Sequence, residues 1–309
     1  MKFKSVNLLL NGYCNNKCNM CYIWKNKERA NLPLEEIINL FSHKEFSEVE
    51  DISLSGGEPL MIDGISNIIG TIIDRNPKLE MAFLNTNGTY PIRTRIVCEE
   101  QAKRVPQFYV SVSLEGPRDL NKKIRGIDTY DLAIKTLKEV KSLGIQNIKT
   151  IISTTLQREN GTIENLEYLL DLAEKVRSTL TFRFVEISTT YYQNEGTTPG
   201  TVPKETKLEI LNFATKNIPN DKFLRVQKEF VETGQIPIML DQKGNLLCKA
   251  GDLFCFVKYD SNIYPCLYST RIIGTTSTGV NTSITDLGDK EPCPCCTECH
   301  IYPMLNYLK

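Results

Sequence analysis

What most constrains this chain is a rhythm. Over its first two thirds, extended apolar or β-branched runs alternate with longer amphipathic segments. Periods near two residues mark strands and periods near 3.6 mark helices. The runs Lys4 to Leu10, Asp51 to Ser55, Met81 to Thr86, Gln107 to Ser113, Asn147 to Thr155 and Leu180 to Ile187 read as strands. Leu34 to Ser42, Ile65 to Arg75, Ile92 to Lys103, Tyr130 to Leu143 and Ile163 to Arg177 read as the helices between them. Gly144 is placed to cap one helix, and Asn160, Gly161 and Thr162 to start another. Strands separated by helices are most simply parallel with right-handed crossovers, and six such units make an open or partial barrel rather than a sandwich. Function is then expected at the strand C-termini.

Composition narrows the classes. The 309 residues carry 37 Lys+Arg against 37 Asp+Glu, with 41% hydrophobic and 24% charged residues, which excludes a disordered or collagen-like chain. Zero formal net charge and evenly spread Lys and Glu leave no basic stripe for nucleic acid or acidic lipid. No stretch approaches the roughly 18 apolar residues of a membrane span, and the N-terminus has no secretory pattern, so a cytoplasmic protein is expected. Three of the eleven cysteines are Cys14, Cys18 and Cys21, one is Cys98, and seven lie between 248 and 299. In a reducing compartment such clustering argues for metal.

Cys14-x3-Cys18-x2-Cys21 begins four residues after the first predicted strand. Zinc wants a fourth Cys or His nearby, and His43 and His300, the only histidines, are both distant in sequence. Three thiolates on a four-iron cluster instead leave one iron open. This spacing after the first strand resembles the signature of the radical S-adenosylmethionine (SAM) superfamily. A second motif strengthens the match: Ser55-Gly56-Gly57-Glu58-Pro59 follows the second strand, where that family carries its GGE segment. Paired glycines at a strand end let backbone approach a ligand closely, here the amino group of SAM. The resemblance implies an α/β fold, a partial (β/α)6 radical SAM barrel with a small Cys-rich C-terminal extension.

Asn85-Thr86-Asn87-Gly88 and Ser111-Val112-Ser113-Leu114-Glu115-Gly116 end the third and fourth strands and resemble segments lining the family's SAM pocket. Ser111 and Ser113 share one strand face, where their hydroxyls could meet ribose or carboxylate. Arg125 could clamp the carboxylate with two bonds, and Tyr22 could stack on adenine or offer it backbone. The expected cofactor-binding set is therefore Tyr22, Ser55, Gly56, Gly57, Glu58, Asn85, Ser111, Ser113 and Arg125. Lone Trp24 is expected to shield the cluster or pack the barrel mouth.

Residues 190 to 204 read as a linker, followed by helical segments around Lys204 to Lys216 and Phe223 to Thr233. From Met239 the chain is short β-like pieces, Gly and Cys, as in a small domain where metal substitutes for a core. The expected division is residues 1–233 for the barrel with linker and trailing helices, and 234–309 for the auxiliary-cluster domain. The run from Cys248 through Ala250-Gly251 to Tyr264-Pro265-Cys266, with the tail Cys293 to Cys299, resembles the SPASM and Twitch extensions of some radical SAM barrels. By that resemblance Cys248, Cys266, Cys296 and Cys299 would hold one auxiliary [4Fe-4S] cluster, with Cys255 able to replace one of the four and Cys293 or Cys295 able to swap with Cys296. Zinc on Cys293, Cys296 and Cys299 with His300 nearby is the other reading.

The resemblance implies a [4Fe-4S] cluster on Cys14, Cys18 and Cys21 that binds SAM and reduces it to methionine and a hydrogen-abstracting 5′-deoxyadenosyl radical. An auxiliary cluster would assist oxidation, crosslinking or epimerisation of a peptide or of a sugar or aminocyclitol. An electron donor such as flavodoxin or ferredoxin is implied as partner, with no nucleic acid and no membrane. A radical epimerase also needs a thiol hydrogen donor, for which Cys255, Cys293 and Cys295 are candidates; Cys98 reads as core. The barrel begins almost at residue 1, which leans against a leader-guided peptide. Neither a preceding cobalamin domain nor the terminal glycine pair of molybdopterin-precursor enzymes is visible. The reading from another class is a non-catalytic iron-sulfur carrier or a zinc-stabilised binding module.

Overall fold

The computed structural model describes residues 2–27, 29–195, 200–218, 221–233 and 249–281. Six strands alternate with helices in the expected order: β1 (Ser5–Leu9), β2 (Asp51–Ser55), β3 (Met81–Thr86), β4 (Gln107–Ser113), β5 (Ile148–Leu156) and β6 (Thr179–Phe184). Each pairs in parallel with the next, and the sheet does not close on itself. Between them run α1 (Leu34–Leu40), α2 (Ile65–Arg75), α3 (Pro91–Gln101), α4 (Arg118–Arg125), α5 (Tyr130–Ser142) and α6 (Ile163–Lys175), and α7 (Lys204–Asn217) and α8 (Lys222–Thr233) follow β6. This is the expected partial α/β barrel.

Local chemistry explains the boundaries. The Thr162 hydroxyl accepts the Asn165 N–H at 3.1 Å and starts α6. Gly144 ends α5 in a left-handed conformation, φ +64°. Helix α4 is absent from the sequence reading because Leu120 and Ile124 are the only apolar residues of RDLNKKIR, too few to read a period from.

Side chains alternate along the strands, and the two faces differ in kind. Val6, Leu8, Ile52, Leu54, Val110, Val112, Ile152 and Phe182 point outward into one apolar core under the helices. The residues between them point into the barrel and are mostly polar.

After α8, β7 (Phe254–Val257) returns to pair in parallel with β1, on the side opposite β2. It is extended by the antiparallel pieces β8 (Asn262–Tyr264), β9 (Gly274–Thr275) and β10 (Gly279–Val280), giving ten strands in the order β10-β9-β8-β7-β1-β2-β3-β4-β5-β6. The C-terminal strands thus continue the barrel sheet. His43 is half-buried at this junction, with Nε2 3.0 Å from the Thr276 carbonyl. Among the described residues no helix is long and apolar enough to cross a membrane.

Candidate functional site

Leu9 ends β1, and the chain turns at once into the loop that carries the first three cysteines. Cys14, Cys18 and Cys21 all line one cavity of about 270 Å³ enclosed by the barrel. Its walls are the inward residues of the strands: Ser5 and Asn7, then Asp51, Ser53 and Ser55, then Asn85, Ser111 and Ser113, then Ser153, Thr155, Thr181 and Arg183. A cavity with thiols at its mouth and hydroxyls and amides on its walls is built to orient a polar ligand.

Burial pushes the thiols of Cys14 and Cys21 up to about 12, and raises Cys18 as well. Each thiol also feels its neighbours: Cys18 raises both Cys14 and Cys21. Such thiols shed their protons together only when a strong cationic centre joins them. Among the described residues no three acidic, His or Cys side chains gather around a point that would suit a single ion. Three thiols spread around one cavity mouth suit a polynuclear cluster, whose irons are each met by a separate thiolate. Asn16, 1% exposed between two of these cysteines, has neither amide atom hydrogen-bonded. The donor set and this orphaned amide fit a bound iron-sulfur group with a polar co-ligand.

The GGE turn packs on the cysteine loop. A Cβ on Gly57 would lie 1.9 Å from the Tyr13 carbonyl oxygen, and one on Gly56 would lie 2.1 Å from Asn11 Oδ1. Gly57 N–H donates to Asn11 O at 2.9 Å and Glu58 N–H to Tyr13 O at 3.0 Å. The glycines therefore serve first to let two loops of this chain meet, and both still line the cavity. Glu58 is fully buried and is not on the cavity wall. Its Oε1 accepts from Leu60 N (3.1 Å) and Thr86 Oγ1 (2.8 Å), and its Oε2 from Asn87 N (2.7 Å). Burial pushes it up to about 7 against the pull of these donors. Glu58 is thus placed to hold the β3 end against the GGE turn, a positioning role rather than the ligand contact expected of it.

Asn85 is inward but already donates to Ser53 Oγ (2.9 Å) and Leu54 O (3.1 Å). Ser55, Ser111 and Ser113 line the cavity as expected. Arg125 also lines it, yet its fork is partly engaged: Nη2 lies 2.6 Å from Glu115 Oε1 and Nη1 3.6 Å from Cys18 Sγ. Burial opposes its charge, and Glu115 and Cys18 outweigh that cost and keep it ionised. Glu115 is in turn fixed by Thr154 Oγ1 (2.9 Å) and Thr155 N (2.8 Å). Tyr22 does not reach the cavity wall; its ring lies under Lys25 Nζ at 3.7 Å, and its N–H donates to Tyr192 O. Trp24 does line the cavity, donating from Nε1 to Cys18 O at 3.2 Å.

The C-terminal cysteines divide. Cys248, Cys293, Cys295, Cys296 and Cys299 lie outside the described residues. Cys266 is half-buried beside Leu267, whose carbonyl accepts from Ser188 Oγ at 2.6 Å and from Thr190 Oγ1. Cys255 sits opposite Val6 on β7, 0% exposed, within the apolar core and away from the cavity. That setting favours a packing role over the ligand and hydrogen-donor roles expected of it. Cys98 is core, as expected, and burial pushes it up to about 12.

Among the cavity residues that escape a motif search are Asn16, Asp51, Arg183 and Tyr191. The available signal is alternation, since a strand whose odd positions are polar and even positions apolar, as in Asp51 to Ser55, must present the polar set to something wet or functional.

Known proteins resemble this chain in sequence or in fold. A GTP 3′,8-cyclase of Nautilia profundicola is 24% identical over 285 residues, covering 87% of this chain and 82% of that protein. SuiB of Streptococcus suis, solved with S-adenosylmethionine, superposes with a TM-score of 0.64 at 17% identity, covering 94% of this chain and 67% of that one. The enzyme anSMEcpe, solved with AdoMet and the Cp18Cys peptide, gives 0.61 at 15% identity, covering 93% of this chain and 80% of that one. These two likenesses are of fold. The model of the radical SAM superfamily matches residues 8–176, from the first strand through the cysteine loop and the GGE turn to the end of α6. The chain belongs to the radical SAM superfamily, and is therefore an enzyme whose cofactors are a [4Fe-4S] cluster and S-adenosylmethionine.

Proposed function

We propose that this enzyme holds its cluster on Cys14, Cys18 and Cys21, cleaves S-adenosylmethionine reductively there, and directs hydrogen abstraction at a carbon of a peptide or of a sugar or aminocyclitol. The observation that carries this reading is that three thiols, the GGE turn and the ends of β3 and β4 share one cavity. When bound, the reduced cluster supplies the electron that breaks the sulfonium bond. This chain's residues orient and enclose. Ser55, Gly56, Gly57, Asn85, Ser111 and Ser113 offer backbone and polar side chains to the cofactor, Arg125 keeps positive charge beside Cys18, and Trp24 and Tyr191 exclude water.

Residues 234–309 would carry the auxiliary cluster as an extension whose strands β7 to β10 continue the sheet of residues 1–233, with Cys248, Cys266, Cys296 and Cys299 as ligands assisting oxidation, crosslinking or epimerisation. Cys293 and Cys295 remain the candidate hydrogen donors. A flavodoxin or ferredoxin in the cytoplasm would supply electrons. Peptide as substrate is supported by the peptide-bound relatives of the same fold. A second reading, a purine nucleoside triphosphate, is favoured by the likeness to the cyclase over most of both chains.

The test is anaerobic reconstitution followed by iron, sulfide and zinc analysis and a turnover with dithionite and SAM. About eight irons per chain and release of 5′-deoxyadenosine are expected. No 5′-deoxyadenosine from fully loaded protein would sink the reading. About four irons with stoichiometric zinc would remove the auxiliary cluster from it. Supplying GTP, then peptides and aminocyclitols, decides the substrate by which one is consumed.

A further inference from the structure

The cavity does not end at the cofactor groups. It continues down β2 from Ser55 to Asp51, four residues or about 13 Å, to the N-terminal ends of the strands. There the wall changes character. Asp51 lines the floor, 8% exposed, with the Ser5 hydroxyl the one group that favours its charge. Phe83, in register with Ser53 two residues above Asp51, lines the same cavity, and Tyr109 backs it from outside the lining, the rings stacked with centroids 4.3 Å apart and planes 7° apart. Among the described residues no Lys or Arg forms an ion pair with Asp51, and none contributes to its electrostatics.

A buried carboxylate without a counter-charge is costly, and the fold accepts that cost at a place open to ligand. A carboxylate and an aromatic ring on the wall of one cavity, about one register step apart on neighbouring strands, can together recognise an organic cation. We propose that Asp51 and the Phe83–Tyr109 stack form a specificity subsite for a primary ammonium or guanidinium group of the substrate. The inference rests on the cavity being the substrate cavity, as the proposed function has it. It adds that the substrate carries its cation several bonds from the reacting carbon, since the subsite lies at the far end from the three thiols. The cation supplies the missing counter-charge, and binding it holds Asp51 in its ionised form.

The test is calorimetric titration of the anaerobically reconstituted full-length enzyme with SAM present. Nα-acetyl-lysine N-methylamide is the first probe, its Nε-acetylated form the neutral control, and 2-deoxystreptamine the second cation. The lysine probe or the aminocyclitol is expected to bind, with affinity about tenfold lower for Asp51→Asn and for the neutral control. Whichever of the two cations binds more tightly tells a peptide side chain from an aminocyclitol. Phe83→Leu keeps the apolar bulk and removes the aromatic face, and should weaken the same cation about threefold; it decides the matter should Asp51→Asn fail to fold. Equal binding of cation and neutral control, or no binding of either cation at about 10 mM, overturns the proposal. The titration reads no SAM cleavage, so 5′-deoxyadenosine formation by wild type tests the proposed function separately.

Discussion

The two faces of one sheet treat buried reactive groups in opposite ways. On the inner face and its rim, Cys14, Cys18, Cys21 and Asp51 line a cavity whose walls carry amides, hydroxyls and Arg125. On the outer face, Cys255 is deeper than the half-buried Cys14 and Cys21, and its surroundings are Val6 and the apolar core. Burial raises all four thiols. What differs is the company: Cys14 has Asn87 and Asn16, and Cys18 has Arg125, whereas burial alone acts on Cys255. A buried thiol is thus marked for chemistry by its polar neighbours rather than by its depth.

The comparison breaks most visibly at the rim. Replacing Cys14, Cys18 and Cys21 together by Ala should abolish 5′-deoxyadenosine formation and remove about four irons per chain, leaving any auxiliary cluster behind. Cleavage of SAM by that variant would mean that the inner-face thiols are not what the cavity is built around. A smaller effect is expected at Asp51, whose carboxyl burial pushes from its ordinary 3.8 up to about 7. The folded state therefore holds a proton that the unfolded state has released. The sign follows: between pH about 4 and about 7, stability falls as pH rises, and Asp51→Asn removes that slope, worth at most about 4 kcal/mol. Urea denaturation of both proteins across this window checks it; parallel curves would show that Asp51 is solvated better than its burial implies.

The outer face was readable from sequence, and the inner face only in part. Apolar alternation placed β2, β3, β4 and α2 almost residue for residue, because a core imposes its period on the chain. The cysteine loop and the GGE turn were legible because few other structures need those residues at that spacing. A motif does not reveal the second demand on Gly56 and Gly57, which line the cavity and whose missing Cβ atoms also make room for Asn11 and Tyr13 of the same chain. Glu58 and Tyr22 belong to the right segments but point elsewhere, and a motif carries no side-chain direction. Asp51 escaped notice because one acidic residue opening a strand is ordinary until its neighbours across the barrel are known. Cys255 was read by its place in a cysteine-rich stretch, while its register against Val6 decides its face.

Two smaller effects sharpen the contrast. Gly57→Ala sets a methyl against backbone that cannot swing away, and should cost about 1–3 kcal/mol and lower the iron retained after reconstitution. Full iron with unchanged stability in that variant would show that the two loops separate freely. The smallest effect belongs to the outer face. Cys255→Ala removes one sulfur from a packed apolar core and should cost about 1 kcal/mol in urea denaturation, with iron and sulfide unchanged. A ligand would behave differently, since losing it strands a cluster and takes about four irons with it. If Cys255→Ala loses that iron, depth in an apolar core does not protect a thiol from ligation, and the distinction between the two faces fails at the residue where it is drawn most sharply.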